Sequence, residues 1–232
     1  MKAPIIEIFS SFQGEGTLIG QRQIFVRFAG CNLNCSYCDT KNSISEKEGI
    51  LMTPAQVVSK IESILTPDCQ TISFTGGEPS LYPEFINEVS KLTNLDIMLE
   101  TNGTLPANID SIDNLDIVSL DIKLKEQFDG DFNEDIFLNE IKSLNLLIEK
   151  SINVYCKVVI LPSLKIESFE EVIKKIDNGI IYKNNLHFII QPSSPLSDWK
   201  NISNSLFEFS EIVGRYFKVS TIPQIHKILN IE

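Results

Sequence analysis

The stretch Ile24-Phe25-Val26-Arg27-Phe28-Ala29-Gly30-Cys31-Asn32-Leu33-Asn34-Cys35-Ser36-Tyr37-Cys38 is an apolar run, interrupted by one arginine, that empties into a loop with three cysteines. A short apolar run bounded by turn residues reads as a buried strand. Runs at 71–75, 96–101, 116–121, 154–161, 187–191 and 217–221 read the same way. Helical patterns lie between them at about 83–92, 135–149 and 203–214. Two further helices carry start signals. Thr53-Pro54-Ala55-Gln56 has capping-box spacing with proline at the first turn, and Ser168-Phe169-Glu170-Glu171 offers the same spacing for a helix to about 177.

Strands alternating with helices predict a parallel sheet, and six or seven such units predict an α/β fold of the partial (β/α)6 barrel type. All 232 residues suit one domain. In such barrels chemistry collects at the C-terminal ends of the strands. The cysteine loop, Gly76-Gly77-Glu78-Pro79, residues 100–102, residues 121–123 and Gln191-Pro192 all follow predicted strands. They are expected to line one mouth.

The hydrophobic content of 43% supports a large core, and no apolar run approaches the length of a membrane span. Twenty basic against 31 acidic residues give a net charge of -11, which argues against nucleic-acid binding. Any anionic substrate must then be captured by local groups rather than by a global field. No export signal is evident, so a cytoplasmic location with reduced thiols is expected.

The spacing Cys31-x3-Cys35-x2-Cys38 places three thiolates within eight residues. They can cap three irons of a [4Fe–4S] cube and leave the fourth open, whereas most such clusters are closed by four cysteines. An open iron can chelate a small molecule, and S-adenosylmethionine is the one cleaved at such sites to start radical chemistry. Zinc is the competing reading. It wants four ligands, and the two histidines, His187 and His226, are far off in sequence. Cys69 and Cys156 have no partner spacing and read as ordinary buried cysteines.

Gly76-Gly77-Glu78-Pro79 alone is common turn material. After a strand, beside the cysteine triad, its glycines allow close backbone approach and its carbonyls and carboxylate suit a cationic amino group. Together these two motifs resemble the radical S-adenosylmethionine superfamily, and that resemblance implies a core over about 24–195. Phe12-Gln13-Gly14-Glu15-Gly16, Phe25-Val26-Arg27, Cys38-Asp39-Thr40 and the tail Pro223-Gln224-Ile225-His226-Lys227 resemble, more narrowly, the 7-carboxy-7-deazaguanine synthase family. That resemblance spans the chain end to end.

The resemblance implies conversion of 6-carboxy-5,6,7,8-tetrahydropterin to 7-carboxy-7-deazaguanine with loss of ammonia, a ring contraction on the route to 7-deazapurine tRNA nucleosides. It implies a [4Fe–4S] cluster on Cys31, Cys35 and Cys38, S-adenosylmethionine as radical source, and Mg2+ on the Thr40 hydroxyl with Asp39 orienting the metal's waters. A reductant such as a flavodoxin or ferredoxin would supply the electron. Arg27, a planar fork, would hold the substrate carboxylate. Phe12, Gln13, Gly14, Glu15, Thr75, His226 and the terminal Glu232 would contact the pterin. Tyr37, Cys38, Asp39, Gly77, Glu78, Asp121, Ile122, Lys123, Gln191, Pro192, Ser193 and Ser194 would contact S-adenosylmethionine. One departure stands out: many members read Ser-Pro-Lys where this chain has Asp121-Ile122-Lys123. An aspartate there accepts from ribose hydroxyls but repels a carboxylate.

Two other readings remain open at this stage. A glycyl-radical activating enzyme shares the cysteine spacing but needs an open cleft for a protein loop. An electron-transfer protein would need a fully ligated cluster and no Gly-Gly-Glu-Pro turn. Strand edges in a partial barrel also favour a homodimer.

Overall fold

The computed structural model describes residues 1–128, 130, 132–182 and 186–231. Strand β1 (Ala3–Phe12) runs antiparallel to β2 (Arg22–Phe28), and the short β3 (Ile50–Met52) pairs with the outer side of β1. From β2 the pairing turns parallel through β4 (Thr71–Gly76), β5 (Asp96–Thr101), β6 (Ile117–Asp121), β7 (Asn153–Ile160), β8 (His187–Pro192) and β9 (Lys218–Thr221). The order β3-β1-β2-β4-β5-β6-β7-β8-β9 leaves β3 and β9 as edges. The sheet is therefore an open, partial barrel.

Side chains alternate across this sheet with the period of two that a pleat dictates. One set, Ile24, Val26, Phe28, Ile72, Phe74, Leu99, Val118, Leu120, Val158 and Ile190, is buried in the core. It meets the apolar stripes of α1 (Pro54–Ile64), α2 (Pro83–Ser90), α4 (Glu134–Glu149), α5 (Ile166–Gly179) and α6 (Ser205–Gly214). Each large side chain buried there contributes roughly 1.5–3 kcal/mol. The other set carries Gln23, Arg27, Ser73, Thr75, Glu100, Asp121, Lys157 and Gln191. The cross-strand pairs Arg27↔Thr75, Glu100↔Ser119 and Asp121↔Lys157 keep this polar set on one face. The helices stabilise the fold from outside, and the concave face is left for chemistry.

The Thr53 start is as its residues predict: Thr53 and Gln56 exchange side-chain and backbone hydrogen bonds in a full capping box. The Ser168 start is not. Helix α5 begins at Ile166 with Lys165 at its N-cap position, so Ser168 lies inside the first turn. Burial of Ile166 and Phe169 against the core prevails over the local cap. Strands β1 and β3, and the five-residue helices α3 (Pro106–Asp110) and α7 (Ile225–Leu229), have no counterpart in the sequence-based assignment. In each the periodic run is too short or too polar to stand out.

Candidate active site

The C-terminal ends of the parallel strands surround a cavity of about 500 Å3. All five segments expected at the mouth contribute to it: the cysteine loop, the double-glycine turn, residues 100–102, residues 121–123 and Gln191. The loop after β1 and the tail around Gln224 complete the wall.

On one side stands the cysteine loop. Cys31, Cys35 and Cys38 are free, partly exposed thiols that line the same cavity. Burial pushes the Cys31 thiol up to about 11, and the Cys35 thiol is raised for the same reason. Iron would have to displace these protons, as thiolate ligation requires. Among the described residues no three His, Cys, Asp or Glu side chains gather around a single ion. Three separate thiols on one loop suit a polynuclear cluster, which spaces its ligands, better than zinc. The donor set fits a [4Fe–4S] cube with one open iron.

The glycines of the turn hold this loop at its root. Gly77 N–H donates to the Phe28 carbonyl at 3.0 Å and Glu78 N–H to the Gly30 carbonyl at 2.8 Å. A Cβ on Gly77 would lie 2.0 Å from the Gly30 carbonyl oxygen, and one on Gly76 would lie 2.3 Å from that of Phe28. Gly76 also has φ of +120°, which disfavours any side chain. The close approach here is between two protein backbones. The Glu78 carboxylate is likewise committed inside the protein. Its oxygens accept from Ser80 N–H at 3.0 Å, Thr101 hydroxyl at 2.6 Å and Asn102 N–H at 2.7 Å. Burial raises its pKa despite these bonds. Glu78 thus ties the turn to β5 rather than offering a free carboxylate to a ligand's amino group.

From the cysteine loop a chain of charges runs along the cavity wall. Tyr37 hydroxyl meets Lys123 Nζ at 2.9 Å, Lys123 meets Asp121 at 3.0 Å, Asp121 meets Lys157 at 3.2 Å, and Lys157 pairs with Glu15. Burial alone would push the Asp121 carboxyl up, but the two lysines outweigh it and hold it below its ordinary value. Asp121, the departure from the hydroxyl pattern, is therefore charge-compensated. Gln224 Nε2 carries the chain into the tail, donating to Glu15 at 2.6 Å and to Asp39 at 3.2 Å. Lys227 closes on Asp39 at 2.7 Å.

At the base, Glu100 accepts from Gln13 Nε2 at 2.8 Å, Ser73 hydroxyl at 3.2 Å and Thr75 hydroxyl at 2.7 Å. Arg27 is held through Nε by Glu7 at 2.7 Å and lies over the Phe9 ring at 5.4 Å. Its terminal nitrogens have no partner among the described residues. His226 packs against Gly14 so closely that a Cβ there would sit 1.9 Å from its Nδ1. Gln191 lines the cavity, and its buried Oε1 also lacks a partner.

The Radical SAM superfamily pattern matches residues 25–176. A 7-carboxy-7-deazaguanine synthase of Methanothermobacter thermautotrophicus is 42% identical over 244 residues, covering 100% of this chain and 99% of that protein. The chain belongs to the 7-carboxy-7-deazaguanine synthase family. Another member, from Geobacter sulfurreducens, is 30% identical across 98% of this chain and 97% of its own length. The fold matches the crystal structure of QueE from Escherichia coli with a TM-score of 0.64, at 18% identity, over 95% of this chain and 94% of that one.

For this member of the 7-carboxy-7-deazaguanine synthase family, most of the residues expected at the site do share the cavity. Phe12, Gln13, Gly14, Glu15, Arg27, Tyr37, Asp39, Thr40, Thr75, Gly77, Glu78, Asp121, Lys123, Gln191, Ser193, Ser194 and His226 all line it with the three cysteines. Two do not. Ile122 is buried in the apolar core, because alternation turns it away from its neighbours, and Pro192 is buried outside the lining. Glu232 lies outside the described residues. Sequence reasoning overlooked Glu7, Phe9, Lys157, Gln224 and Lys227, all of which line the cavity. Only alternation within β7 could have flagged Lys157, a cation inside Val154-Tyr155-Cys156-Lys157-Val158-Val159.

Proposed function

We propose that this chain converts 6-carboxy-5,6,7,8-tetrahydropterin to 7-carboxy-7-deazaguanine with loss of ammonia, using S-adenosylmethionine, a [4Fe–4S] cluster and Mg2+. The observation that carries the reading is one cavity lined by three free cysteines and an arginine whose terminal nitrogens are open. Full-length identity of 42% to a protein named for that product supports it. When bound, the cluster supplies reductive cleavage of S-adenosylmethionine to a 5′-deoxyadenosyl radical. Everything else falls to the protein.

Arg27 takes the substrate carboxylate on its free edge while Glu7 fixes its Nε. Glu100 and Glu15 present carboxylate oxygens to the amino-pyrimidine side of the pterin, and the Gln13 amide, already bonded to Glu100, orients that wall. Thr40, two residues after Cys38, offers its hydroxyl to Mg2+, which takes few protein oxygens and retains water or substrate ligands. The unpartnered Gln191 Oε1 and the Asp121–Lys123 segment receive the nucleoside and amino-acid parts of S-adenosylmethionine. The tail, bonded to Glu15 and Asp39, excludes water from the radical.

The tail lines one side of the cavity, which favours a small substrate over a partner protein's loop. No helix among the described residues is long and apolar enough to cross a membrane. A cytoplasmic enzyme reduced by a flavodoxin or ferredoxin agrees with reduced, partly exposed cysteines. A homodimer would cover the β3 edge, where Ile50 and Leu51 are exposed.

Anaerobic turnover of reconstituted protein with dithionite, S-adenosylmethionine, Mg2+ and the carboxypterin tests the reading. Deazaguanine product is expected, and its absence from protein with an intact cluster overturns the assignment.

A further inference from the structure

Lys157 is buried on β7 and is absent from every role assigned above. Its ammonium is shared by two carboxylates from distant parts of the chain, Asp121 at the end of β6 and Glu15 in the loop after β1. Those carboxylates lead to different parts of the cavity wall. Asp121 continues through Lys123 to Tyr37 on the cysteine loop. Glu15 continues through Gln224 to the tail. Within the bonded chain Glu15 and Asp121 offset Lys123 and Lys157, and the Glu100 carboxylate also acts on Lys157. Without Lys157, the Glu15 and Asp121 carboxylates would lie close together with only Lys123, bonded to Asp121, to offset them, and buried like charges repel strongly.

We propose that Lys157 is a positioning residue: one ammonium holds Glu15 and Asp121 at a fixed separation and so registers the pterin end of the cavity against the nucleoside end. This rests on the assignment of those ends given above. Hydrogen transfer needs reacting atoms about 3–3.5 Å apart, and a misplacement of about 1 Å can cost on the order of a hundredfold. A misregistered substrate leaves the adenosyl radical to take its hydrogen from a C–H bond of buffer or protein instead. The cofactor then ends as 5′-deoxyadenosine with no deazaguanine formed.

The readout is 5′-deoxyadenosine formed per deazaguanine in reconstituted wild type, Lys157→Met and Lys157→Arg. Lys157→Met should still cleave the cofactor, with that ratio raised at least about tenfold. Lys157→Arg, which keeps the charge but moves it, should fall between. A ratio within about twofold of wild type, or both yields falling together with the ratio unchanged, overturns the positioning role. Should Lys157→Met fail to fold, Lys157→Arg decides by the same criterion. A second measurement needs no substrate. Amide exchange of residues 13–16 should quicken about tenfold or more in Lys157→Met while β4 is unchanged, because Glu15 loses its ion-pair partner. Equal exchange overturns the proposal. Wild-type protein that cleaves the cofactor but makes no deazaguanine refutes the substrate assignment instead, and the exchange result still judges Lys157.

Discussion

The two long walls of the cavity are built by different physics. The cysteine side is sutured by backbone: Gly77 N–H to Phe28, Glu78 N–H to Gly30, Gly30 N–H to Ser43 and Cys31 N–H to Ile44, each an N–H donating to a carbonyl. The wall that runs on from this loop is held by side-chain charge, from Tyr37 through Lys123, Asp121 and Lys157 to Glu15. Backbone contacts of this kind tolerate no extra atom but ignore pH and salt. Charge contacts accept substitution of shape but answer to protonation. The cluster loop needs the first kind, because its ligands must be placed before any metal arrives. The substrate wall can use the second, since a polar ligand will join the network.

Gly77→Ala attacks the suture and has the largest expected effect. Its Cβ would lie 2.0 Å from a carbonyl oxygen that belongs to the cysteine loop itself. Overpacking against side chains costs roughly 1–3 kcal/mol, and backbone yields less readily. Iron bound per chain after reconstitution should fall at least severalfold. Wild-type iron content in Gly77→Ala would mean that the loop is not held at this point.

Next is Asp121→Ala, which strikes the charged wall. Removing one member of a buried ion network costs about 3–5 kcal/mol, because its partners keep their charge without compensation. Chemical denaturation should show that loss with little dependence on salt, since buried pairs are poorly screened. The aspartate's pKa is lowered in the fold. Its contribution is therefore present above the ordinary aspartate range and fades as pH falls through the folded value. A loss under about 1 kcal/mol at neutral pH would reduce the network to an ordinary surface pair.

Much of this contrast was legible in the sequence, but unequally. Strand positions, the mouth segments and the cysteine triad follow from period, order and spacing, which are local. The suture was half visible: the double glycine marks close approach, but only the structure shows that it meets Phe28 and Gly30 rather than a ligand. Glu78 reads as a ligand group because its three donors come from elsewhere, on the turn and on β5. The charged wall was the least legible. Glu15 and Lys157 are 142 positions apart, and nothing in a linear pattern announces such a pair. The Ile122 side chain turns into the core for a simpler reason, that adjacent residues at a strand end face opposite sides.

Glu140 sharpens the comparison by reversing the sign of the pH response. It is buried on α4 behind the charged wall, where Oε1 accepts from Lys123 N–H at 3.0 Å and Oε2 has no partner among the described residues. Burial, against the weaker pull of Lys123, holds its pKa well above the ordinary glutamate value. A raised carboxyl pKa gives stability that is whole below the unfolded value and is lost as pH climbs through the folded one. Glu140→Gln should remove that alkaline loss, about 1.4 kcal/mol for each unit between the two values. Parallel stability curves for wild type and Glu140→Gln as pH rises from about 5 to about 8 would show that Glu140 is not held neutral.

The smallest effect belongs to Lys227→Ala, where the charged wall reaches the surface. Both members of the Asp39–Lys227 pair are partly exposed, at 49% and 36% of their side chains. Exposed pairs contribute about 0.2–1 kcal/mol and are screened by salt. Burial pushes the Asp39 carboxyl up, yet its bonds to Lys227 and Gln224 outweigh this and lower it. Global unfolding should barely change in the variant. The tail is another matter, because Lys227 and Gln224 tie it to Asp39, and Ile225 N–H to Gly14 is its main backbone link to the substrate loop. Amide exchange at Ile225 should therefore quicken severalfold in low salt and converge with wild type in high salt. If the two proteins differ equally at both ionic strengths, the tail is held by packing of His226 on Gly14 rather than by charge.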